Sequence, residues 1–357
     1  MSEIPKHMAA VQLLGHGGFD KLRYSETVPV PEPKDGEVLI RVSAAGVNNT
    51  DINTRIGWYA PEAGQSTNTV EPERGDWSGA GLQFPRIQGA DVCGYIVKTG
   101  KGVGAARLGE RVMVQSCLRS LAEGSFIPWL GSERDGGFAQ FVSAPAADTY
   151  AVRCDLSDAE LAAIPCAYGT AENLISRAKL TAGETVLITG ASGNVGLAAV
   201  QLAKRRGAEV IAIAAEQKFA VLRSIGADRC VKRDTNLVDA LGPNSIDVAI
   251  DVVGGPQWPQ LLEVLRIGGR YAISGAIAGP LVEFDLRKLY LKDLTLFGCT
   301  AQAAEVFPNL IGYLERGDLR PLVSREYPLQ DIVAAQEDFL SKRHVGKIVL
   351  VPPFVPF

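Results

Sequence analysis

The chain has 357 residues, of which 46% are hydrophobic and 38 are glycine. This length predicts two domains, and the composition is typical of a glycine-rich α/β protein with a sizeable core. Lys and Arg total 36 against 40 Asp and Glu, which gives a net charge of −4. The balance predicts no basic surface for nucleic acid or for an anionic membrane.

Six cysteines are scattered along the chain, and no two form a CxxC pair. This pattern favours a reduced, cytoplasmic protein over a disulfide-bonded or zinc-ribbon protein. The N-terminal residues lack the apolar length of a signal peptide, and no later run approaches about twenty uncharged apolar residues. We therefore expect a soluble, unprocessed protein that does not bind membranes.

The first 150 residues alternate short β patterns with Pro and Gly turns, which predicts a β-rich domain. The clearest predicted strands cover residues 9–14, 37–47, 90–100, 110–116 and 136–144. Between Tyr59 and Pro85 lies a long stretch with neither helical nor strand period. Such a stretch is typical of either a functional lid or a mobile insertion, and the sequence leaves both open.

From about Leu156 the pattern changes to helices alternating with apolar strands. A helical pattern covers 158–178, and further strands are predicted at 245–255, 268–276 and 294–300. The helical segments between them are long enough for crossovers, which predicts a doubly wound parallel sheet. A helix at 305–317 and a strand at 346–351 close the chain, and periodicity alone does not assign them to a domain.

The segment TVLITGASGNVG at 185–196 runs into a helix and then into the apolar strand at 209–215. Such a unit places a dinucleotide pyrophosphate at a helix N-terminus. Small residues let the backbone approach the phosphates, although Ala191 departs from the strict GxGxxG pattern. The turn is therefore predicted to bind the cofactor through Gly190, Ala191, Ser192, Gly193, Asn194, Val195 and Gly196.

The choice of cofactor depends on the residues just after the second strand, where NAD-binding units usually carry an acidic residue for the adenosine ribose. This chain has Ala214 and Ala215 there, with Lys218 three residues beyond and Arg233 able to reach the same end. The pattern favours NADPH. Glu216 would favour NADH if it faced the ribose, and Glu216 and Lys218 could also be solvated charges of the next helix.

The ends of the later strands predict contacts with the nicotinamide half of the cofactor. The strand-end residues are Gly275, Ala276, Phe297, Gly298 and Cys299, and Thr170 and Val253 complete the set of predicted cofactor-binding residues. Cys299 has no histidine in its motif to activate it, so packing is favoured over a nucleophilic role. Asp247 and Asp251 are interpreted as structural residues.

Many segments in the same order resemble the medium-chain dehydrogenase/reductase superfamily, and within it the zinc-independent quinone oxidoreductases related to zeta-crystallin. The resemblance spans essentially the whole chain. It is carried by VSAAGVNNTD (42–51), RIGWY (55–59), QGADVCGYIVKTG (88–100), LGERV (108–112), GGFAQFV (136–142), AYGTAENL (167–174), LITGASGNVGLAAVQLAK (187–204), LYLKDLTLFGCT (289–300) and HVGKIVLV (344–351).

The resemblance implies an α/β protein with a GroES-like β-rich domain at 1–155 and 299–357. It implies a Rossmann domain with a doubly wound parallel sheet at 156–298. In this family the strand at 294–300 would pair across a two-fold axis, so a homodimer is expected.

The resemblance also implies that the chain lacks the zinc ligands of its superfamily. Zinc-dependent members of the superfamily have a Cys before the first-domain Asp and a GHE motif further on, whereas this chain has NNTD and GAD. None of the three histidines lies in these segments, so the resemblance implies a metal-free enzyme. Without zinc, reduction of a quinone or an activated C=C bond is favoured over alcohol oxidation, which needs a group to acidify the hydroxyl.

By the resemblance, Asn48 and Asp51 match the NxxD segment beside the nicotinamide, and Tyr59 matches the aromatic residue of the RxGxY segment. Asn48 is expected to orient the bound groups. Tyr59 would donate a hydrogen bond or a water-relayed proton to the substrate, or would only pack, and Asp51 would contact a ligand or brace its own turn. Arg55 is expected to form an ion pair at the surface.

The predicted function is NADPH-dependent reduction of a quinone or an α,β-unsaturated carbonyl. Zinc-independent interconversion of alcohols and ketones is an alternative, although no acid or base replaces the metal. A non-catalytic, crystallin-like protein that binds NADPH is another.

Overall fold

The computed structural model describes residues 4–59, 82–124 and 126–356. The stretch predicted as a lid or insertion lies, up to residue 81, outside these residues. Within them the strands are β1 (His7–Leu13), β2 (Leu22–Pro29), β3 (Glu37–Gly46), β4 (Arg86–Ile87), β5 (Cys93–Thr99), β6 (Arg111–Val114), β7 (Phe141–Pro145), β8 (Thr149–Ala151), β9 (Thr185–Ile188), β10 (Glu209–Ala214), β11 (Arg229–Lys232), β12 (Ile246–Asp251), β13 (Leu265–Ile273), β14 (Thr295–Gly298), β15 (Val323–Pro328) and β16 (Lys347–Val351).

The α-helices of the described residues are α1 (Asn49–Arg55), α2 (Asp158–Leu161), α3 (Pro165–Arg177), α4 (Asn194–Arg205), α5 (Phe219–Ser224), α6 (Leu237–Leu241), α7 (Trp258–Val264), α8 (Leu286–Leu291), α9 (Val306–Glu315) and α10 (Ile332–Ser341). None of them combines the length and the apolar character that a membrane crossing needs. The described residues divide into a β-rich unit, which ends at Cys166 and resumes at Phe307, and a sheet unit from Ala167 to Val306.

Strand β3 is the centre of the larger sheet in the β-rich unit. It pairs antiparallel with β5, β7 and β16, and the sheet runs in the order β15-β16-β3-β5-β6-β8. A second sheet has the order β2-β1-β4. Apolar side chains of these strands, including Ile40, Ile96 and Phe141, form one buried core. Burial of such side chains supplies the main favourable free energy of folding.

The chain returns to the β-rich unit at its C-terminal end. Strands β15 and β16 are parallel and flank α10, and Leu350 of β16 lies opposite Ala45 of β3. Periodicity alone does not assign these elements to a unit. The pairing of β16 with β3 places them in the β-rich unit. The long-range pairing fixes the last strand where no local sequence signal could.

The boundaries between the units differ from the predicted ones at 155/156 and 298/299. The structure places them at 166/167 and 306/307. Helix α2 packs on β3 and β5, which keeps it with the β-rich unit. Residues 299–301 stay with the sheet unit because the backbone N–H of Cys299 bonds to Ile273 O over 2.9 Å and Asn173 Nδ2 bonds to Ala301 O over 3.2 Å.

The sheet unit is a parallel sheet in the order β11-β10-β9-β12-β13-β14. In this order the chain winds outward in both directions from β9, which is the arrangement of dinucleotide-binding sheets. Val186, Leu187 and Ile188 of β9 are completely buried, as expected for a central strand with helices on both faces. The predicted α/β class with a doubly wound parallel sheet is confirmed.

The helix predicted over 158–178 is two helices. Helix α2 ends at Leu161, and α3 begins at Pro165. A proline has no backbone N–H and clashes with the preceding turn, so it is tolerated at the first position of a helix but not inside one. The proline therefore separates the two helices.

Candidate active site

The turn after β9 brings its backbone close to the start of α4. Gly190 has a φ of +55°, a conformation that glycine adopts without strain. The N–H of Gly193 bonds to Gly190 O over 2.9 Å, and α4 begins at Asn194. A Cβ at Gly196 would collide with the backbone of Gly190 and Ala191. The predicted turn therefore opens directly at the start of α4, where N–H groups without helical partners favour an anion.

The other residues of the predicted turn differ in how far they are buried. Ala191 is buried, and its N–H bonds to Ile213 O of the adjacent β10 over 3.1 Å. Ser192, Asn194 and Val195 are partly exposed beside it. The turn is thus tied to the sheet at Ala191 and accessible on either side of it.

The carboxyl end of β10 carries no acidic side chain on the strand itself. Ala214 ends the strand, and the backbone N–H of Arg233 bonds to its carbonyl oxygen over 3.2 Å. Lys218 lies in the next turn, and burial together with the charge of Arg233 lowers the pKa of its ammonium group. Glu216 forms an ion pair with Lys232 over 2.7 Å. Two positive charges, those of Lys218 and Arg233, therefore lie near this end of β10, and we call them the cationic pair. The negative charge of Glu216 is neutralised by Lys232.

Asp251 braces the end of β12 and is completely buried. Its carboxylate accepts hydrogen bonds from the hydroxyls of Thr189 and Tyr271 and from the N–H groups of Val253, at 2.8 Å, and Gly254, at 3.1 Å. This carboxylate holds strand ends together, consistent with the structural role inferred for it. The backbone carbonyl of Val253 accepts from the N–H of Ala278 over 2.9 Å. Both backbone groups of Val253 are therefore hydrogen-bonded within the protein, and only its side chain could contact a cofactor.

The predicted nicotinamide-side residues lie after β13 and β14. A Cβ at Gly275 would approach Val252 O to 2.9 Å, so this position also needs a glycine. Burial raises the pKa of the Cys299 thiol, and its Sγ donates to Phe297 O over 3.6 Å. A protonated, buried thiol is a poor nucleophile, which supports the packing role. Ala276, Phe297 and Thr170 are partly exposed, and Gly298 is exposed.

In the β-rich unit, Asn48 and Asp51 form a capping box at the start of α1. The backbone N–H of Asn48 bonds to Asp51 Oδ2 over 2.7 Å, and that of Gly89 bonds to Asp51 Oδ1 over 3.3 Å. Burial raises the pKa of Asp51 to about 7. Asp51 thus braces its own turn and joins it to the GAD segment, which is one of the two roles predicted for it.

Two residues that the sequence analysis did not select, Asp91 and Lys347, complete the surroundings of Asn48. Asn48 Nδ2 donates to Asp91 Oδ2 over 2.7 Å, and Lys347 Nζ donates to Asn48 Oδ1 over 2.5 Å. Lys347 also forms an ion pair with Asp91, whose Oδ1 accepts the N–H of Cys166 over 2.6 Å. Asp91 lies 43 residues from Asn48 along the chain, and Lys347 lies 299 residues from it. No local pattern could connect these residues, and only the fold joins them.

Tyr59 lies in the same unit. Its hydroxyl donates to Thr50 Oγ1 over 3.4 Å and accepts from Asn53 Nδ2 over 3.5 Å. Burial raises the pKa of Tyr59, and the nearby Asp51 acts in the same direction. The phenol is therefore protonated at neutral pH. Trp58 packs edge-on against it, with ring centroids 5.4 Å apart.

The expectation of a surface ion pair at Arg55 is wrong. Arg55 is 3% exposed, its Nε donates to Gln336 Oε1 over 3.1 Å, and its Nη1 donates to Gly17 O over 2.8 Å. The guanidinium also stacks over the ring of Phe19 at 4.5 Å. Arg55 therefore anchors α1 to two distant segments of the β-rich unit.

The side chains around Asn48 do not suit a metal ion. No group of three or more His, Cys, Asp or Glu residues in the described parts of the chain could hold one. The oxygens of Asp51 and Asp91 already accept N–H bonds, and burial raises the pKa of the neighbouring Cys166 thiol. A metal ion at these oxygens would have to displace the ammonium group of Lys347, and the Cys166 thiol would have to lose its proton to become a ligand.

Comparison with known proteins identifies both units. The alcohol dehydrogenase GroES-like domain family matches residues 34–153, and the zinc-binding dehydrogenase family matches residues 194–316. The first match confirms the predicted GroES-like character of the β-rich unit. The second family takes its name from zinc, which the donor groups around Asn48 do not fit.

Similar proteins cover nearly the whole chain. It is 31% identical to a quinone oxidoreductase of Sus scrofa, over 97% of this chain and 98% of that protein. It is 29% identical to an acryloyl-coenzyme A reductase of Metallosphaera sedula, over 96% and 99%. A crystal structure from Sinorhizobium meliloti 1021, provisionally designated an alcohol dehydrogenase, superposes with a TM-score of 0.91 at 47% identity and covers 98% of both chains.

These similarities, together with the glycine turn and the doubly wound sheet, make the protein an oxidoreductase with a nicotinamide cofactor and a small-molecule substrate. The expected resemblance is confirmed over the length of the chain. The chain belongs to the medium-chain dehydrogenase/reductase superfamily, in its quinone oxidoreductase group.

Proposed function

We propose that the protein is an NADPH-dependent reductase that transfers hydride to a quinone or an α,β-unsaturated carbonyl without zinc. The observation that carries this proposal is the proximity of the Lys218 and Arg233 charges at the end of β10, in a chain whose Asn48 accepts a hydrogen bond from the ammonium group of Lys347. The nicotinamide supplies the hydride when it is bound.

The preference for NADPH is supported by the charges at the end of β10. An acidic residue there would repel the 2′-phosphate, and this position is Ala214. Glu216, the residue that would favour NADH, is engaged by Lys232. Lys218 and Arg233 bring two positive charges close together, and the lowered pKa of Lys218 reflects its burial and their proximity. An added phosphate dianion would relieve that repulsion, whereas the ribose hydroxyls of NADH would not.

Independence from zinc is supported by the position of Lys347. Its ammonium group lies 2.5 Å from Asn48 Oδ1 and forms an ion pair with Asp91. A cation at the same oxygen atoms would have to displace it. Reduction of an activated C=C bond or a quinone does not require a Lewis acid, because the acceptor carbon is already electron-poor.

Within the β-rich unit, Tyr59 and Asn48 are the proposed polar groups for the acceptor. A protonated phenol can donate a hydrogen bond where negative charge develops on the carbonyl oxygen. The capping box of Asn48 and Asp51 fixes α1, which carries Thr50, the hydrogen-bond partner of Tyr59. The acidity of the buried Tyr59 is low, so its role is to donate a hydrogen bond or to relay a proton from water.

The two acceptor classes have related chemistry. The Sus scrofa relative is a quinone oxidoreductase, and the Metallosphaera sedula relative is an acryloyl-coenzyme A reductase. Quinones and α,β-unsaturated carbonyls both take hydride at an atom conjugated with a carbonyl group. The test is steady-state oxidation of NADPH with a panel of quinones, enones and enals. Turnover with at least one class supports the proposal, and tight NADPH binding without turnover across the panel contradicts it in favour of a non-catalytic role.

We further propose that the protein is a homodimer in the cytoplasm. Strand β14 is the end strand of the parallel sheet as far as the structure describes it, and exposed strand edges readily pair. Leu286 and Leu291 of the preceding helix α8 are 64% and 66% exposed. A second copy related by a two-fold axis would cover both the edge and these side chains. The cysteines of the described residues are free thiols, which suits a reducing compartment.

A further inference from the structure

Lys347 is 1% exposed, although it carries a charged ammonium group. A charge this deeply buried is stable only when it is paired and hydrogen-bonded. Both conditions are met, because Nζ forms an ion pair with Asp91 and donates a hydrogen bond to Asn48 Oδ1. The ion pair is therefore a fixed part of the β-rich unit.

Gly46 provides the space for this side chain. A Cβ at Gly46 would overlap the Cε atom of Lys347 and would also approach Asp91 Oδ2 to 2.6 Å. The strand end of β3 can accommodate the lysine stem only because this residue has no side chain. The sequence thus combines a glycine and a lysine that are far apart in the chain to place one ammonium group beside Asn48.

The two charges determine how the side-chain amide of Asn48 is oriented. Its Oδ1 accepts from the ammonium group of Lys347, and its Nδ2 donates to the carboxylate of Asp91 over 2.7 Å. A rotation of the amide by a half-turn would place NH₂ against the ammonium and oxygen against the carboxylate. Both contacts would be repulsive, so one orientation is selected.

This orientation leaves one amide hydrogen of Asn48 in a weaker contact than the other. One N–H of Asn48 Nδ2 is held by Asp91, and the other makes the longer contact of 3.3 Å with Gly46 O. Hydrogen bonds of this length are weak, so the second N–H can be given to a carbonyl oxygen. We propose that Lys347 is a positioning residue, which together with Asp91 keeps an N–H donor, and not the amide oxygen, of Asn48 directed to the acceptor. This inference rests on the proposed reductase function.

The experiment uses a variant in which the charges are removed together. Lys347→Met alone leaves Asp91 as a buried, unpaired charge, which would lower stability whatever its role. In Lys347→Met/Asp91→Asn the new amide oxygen would accept the N–H of Cys166, as Asp91 Oδ1 does over 2.6 Å. The NH₂ group of the new amide at position 91 would then face Asn48. The side-chain amide of Asn48 would have to rotate so that its oxygen accepts a hydrogen bond from that NH₂ group. The double variant therefore keeps the fold and inverts the Asn48 amide.

We expect the double variant to have a higher melting temperature than Lys347→Met and a kcat about tenfold or more below the wild type, since one donor to the developing charge is lost. The dissociation constant for NADPH, measured by fluorescence titration, should stay within about twofold. In an Asn48→Ala background the two substitutions should cause no further fall in kcat. A double variant with the kcat of the wild type would overturn the inference. So would a fall in kcat in the Asn48→Ala background as large as the fall in the wild-type background.

A neutron structure of the double variant, in which the amide hydrogens are seen directly, gives a readout that does not depend on turnover. An inverted Asn48 amide supports the positioning role, and an unchanged amide contradicts it. If the wild type reduced no acceptor in the panel, the proposed function would fail, and this structural result would still decide whether Lys347 orients Asn48.

Discussion

The backbone N–H of Arg233 donates a hydrogen bond to the carbonyl oxygen of Ala214 over 3.2 Å. This bond places the residue after β11 beside the end of β10, where the adenosine end of a dinucleotide is bound in sheets of this topology. Lys218 lies close enough for the charge of Arg233 to add to the effect of burial on its pKa. The cationic pair therefore results from strand pairing that brings residues 218 and 233 together.

Replacement of Lys218 by alanine should raise the KM for NADPH by about tenfold to a hundredfold, because a charge-assisted hydrogen bond contributes roughly 1.5–3 kcal/mol. The KM for NADH should change little. Steady-state kinetics with both cofactors measures the difference. Lys204→Ala is the control, since Lys204 lies in the last turn of α4 and pairs with Asp228 over 2.6 Å. Equal effects of Lys218→Ala on both cofactors would contradict the cofactor assignment.

Tyr59→Phe should lower kcat by about tenfold to a hundredfold through the loss of one donor to the developing oxyanion. Because burial raises the pKa of Tyr59, its phenol stays protonated at every pH below that at which an ordinary phenol ionises. The wild-type kcat should therefore show no fall from tyrosine ionisation in that pH range. The dissociation constant for NADPH should be unchanged. Tyr95→Phe, on β5, is the matched control. A Tyr59→Phe enzyme with the kcat of the wild type would assign Tyr59 to packing alone.

The raised pKa of Asp51, about 7 as a result of burial, predicts a pH dependence of stability. Between pH 5 and 7 the folded protein retains a proton that the unfolded chain has lost, so the free energy of unfolding falls as pH rises. For one group the slope is at most about 1.4 kcal/mol per pH unit. Asp51→Asn removes this contribution.

The advantage in unfolding free energy of the wild type over Asp51→Asn should therefore narrow from pH 5 to pH 7. Urea unfolding at three pH values measures it. Titrating groups that do not interact with Asp51 contribute equally to both proteins, so their contributions cancel. A difference that is constant or that widens with pH would show that Asp51 is ionised in the folded protein throughout this range.

The double substitution Leu286→Lys/Leu291→Lys should shift the protein toward a monomer, because two charges would be buried at the proposed contact. Sedimentation velocity over a range of concentrations measures the shift. Phe354→Lys is a control with comparable exposure in the β-rich unit. A wild type that is monomeric, or a variant that stays dimeric, would remove the α8 surface from the interface.

Treatment with a chelator should leave NADPH oxidation unchanged, and added Zn²⁺ should not increase it. The reason is the donor set, in which Asn48 and Asp91 are already bound to the ammonium group of Lys347. Activity assays and metal analysis of the dialysed protein measure both effects. Loss of activity on chelation that zinc alone restored would contradict the proposed zinc-free site.

Local patterns in the sequence were sufficient for the central part of the fold. The apolar strand ending at Ile188, the glycine turn and the helix starting at Asn194 are adjacent in the chain, so their hydrogen bonds and steric needs are visible in the sequence. The capping box of Asn48 and Asp51 is local in the same way. Helix boundaries were harder to place, as the break before Pro165 shows.

The sequence by itself therefore determined the α/β class, the glycine turn between β9 and α4 and the absence of the zinc-ligand motifs, and its family resemblance led to the proposal of Asn48, Asp51 and Tyr59. Only the tertiary structure decided that Lys347 lies against Asn48 and Asp91, that Lys232 engages Glu216, and that Arg55 is buried. Each of these depends on pairing between distant strands or helices. A buried lysine or arginine has no local signature, because the same residue in the same short pattern is usually exposed, and only the packing around it provides the partners that make its burial possible.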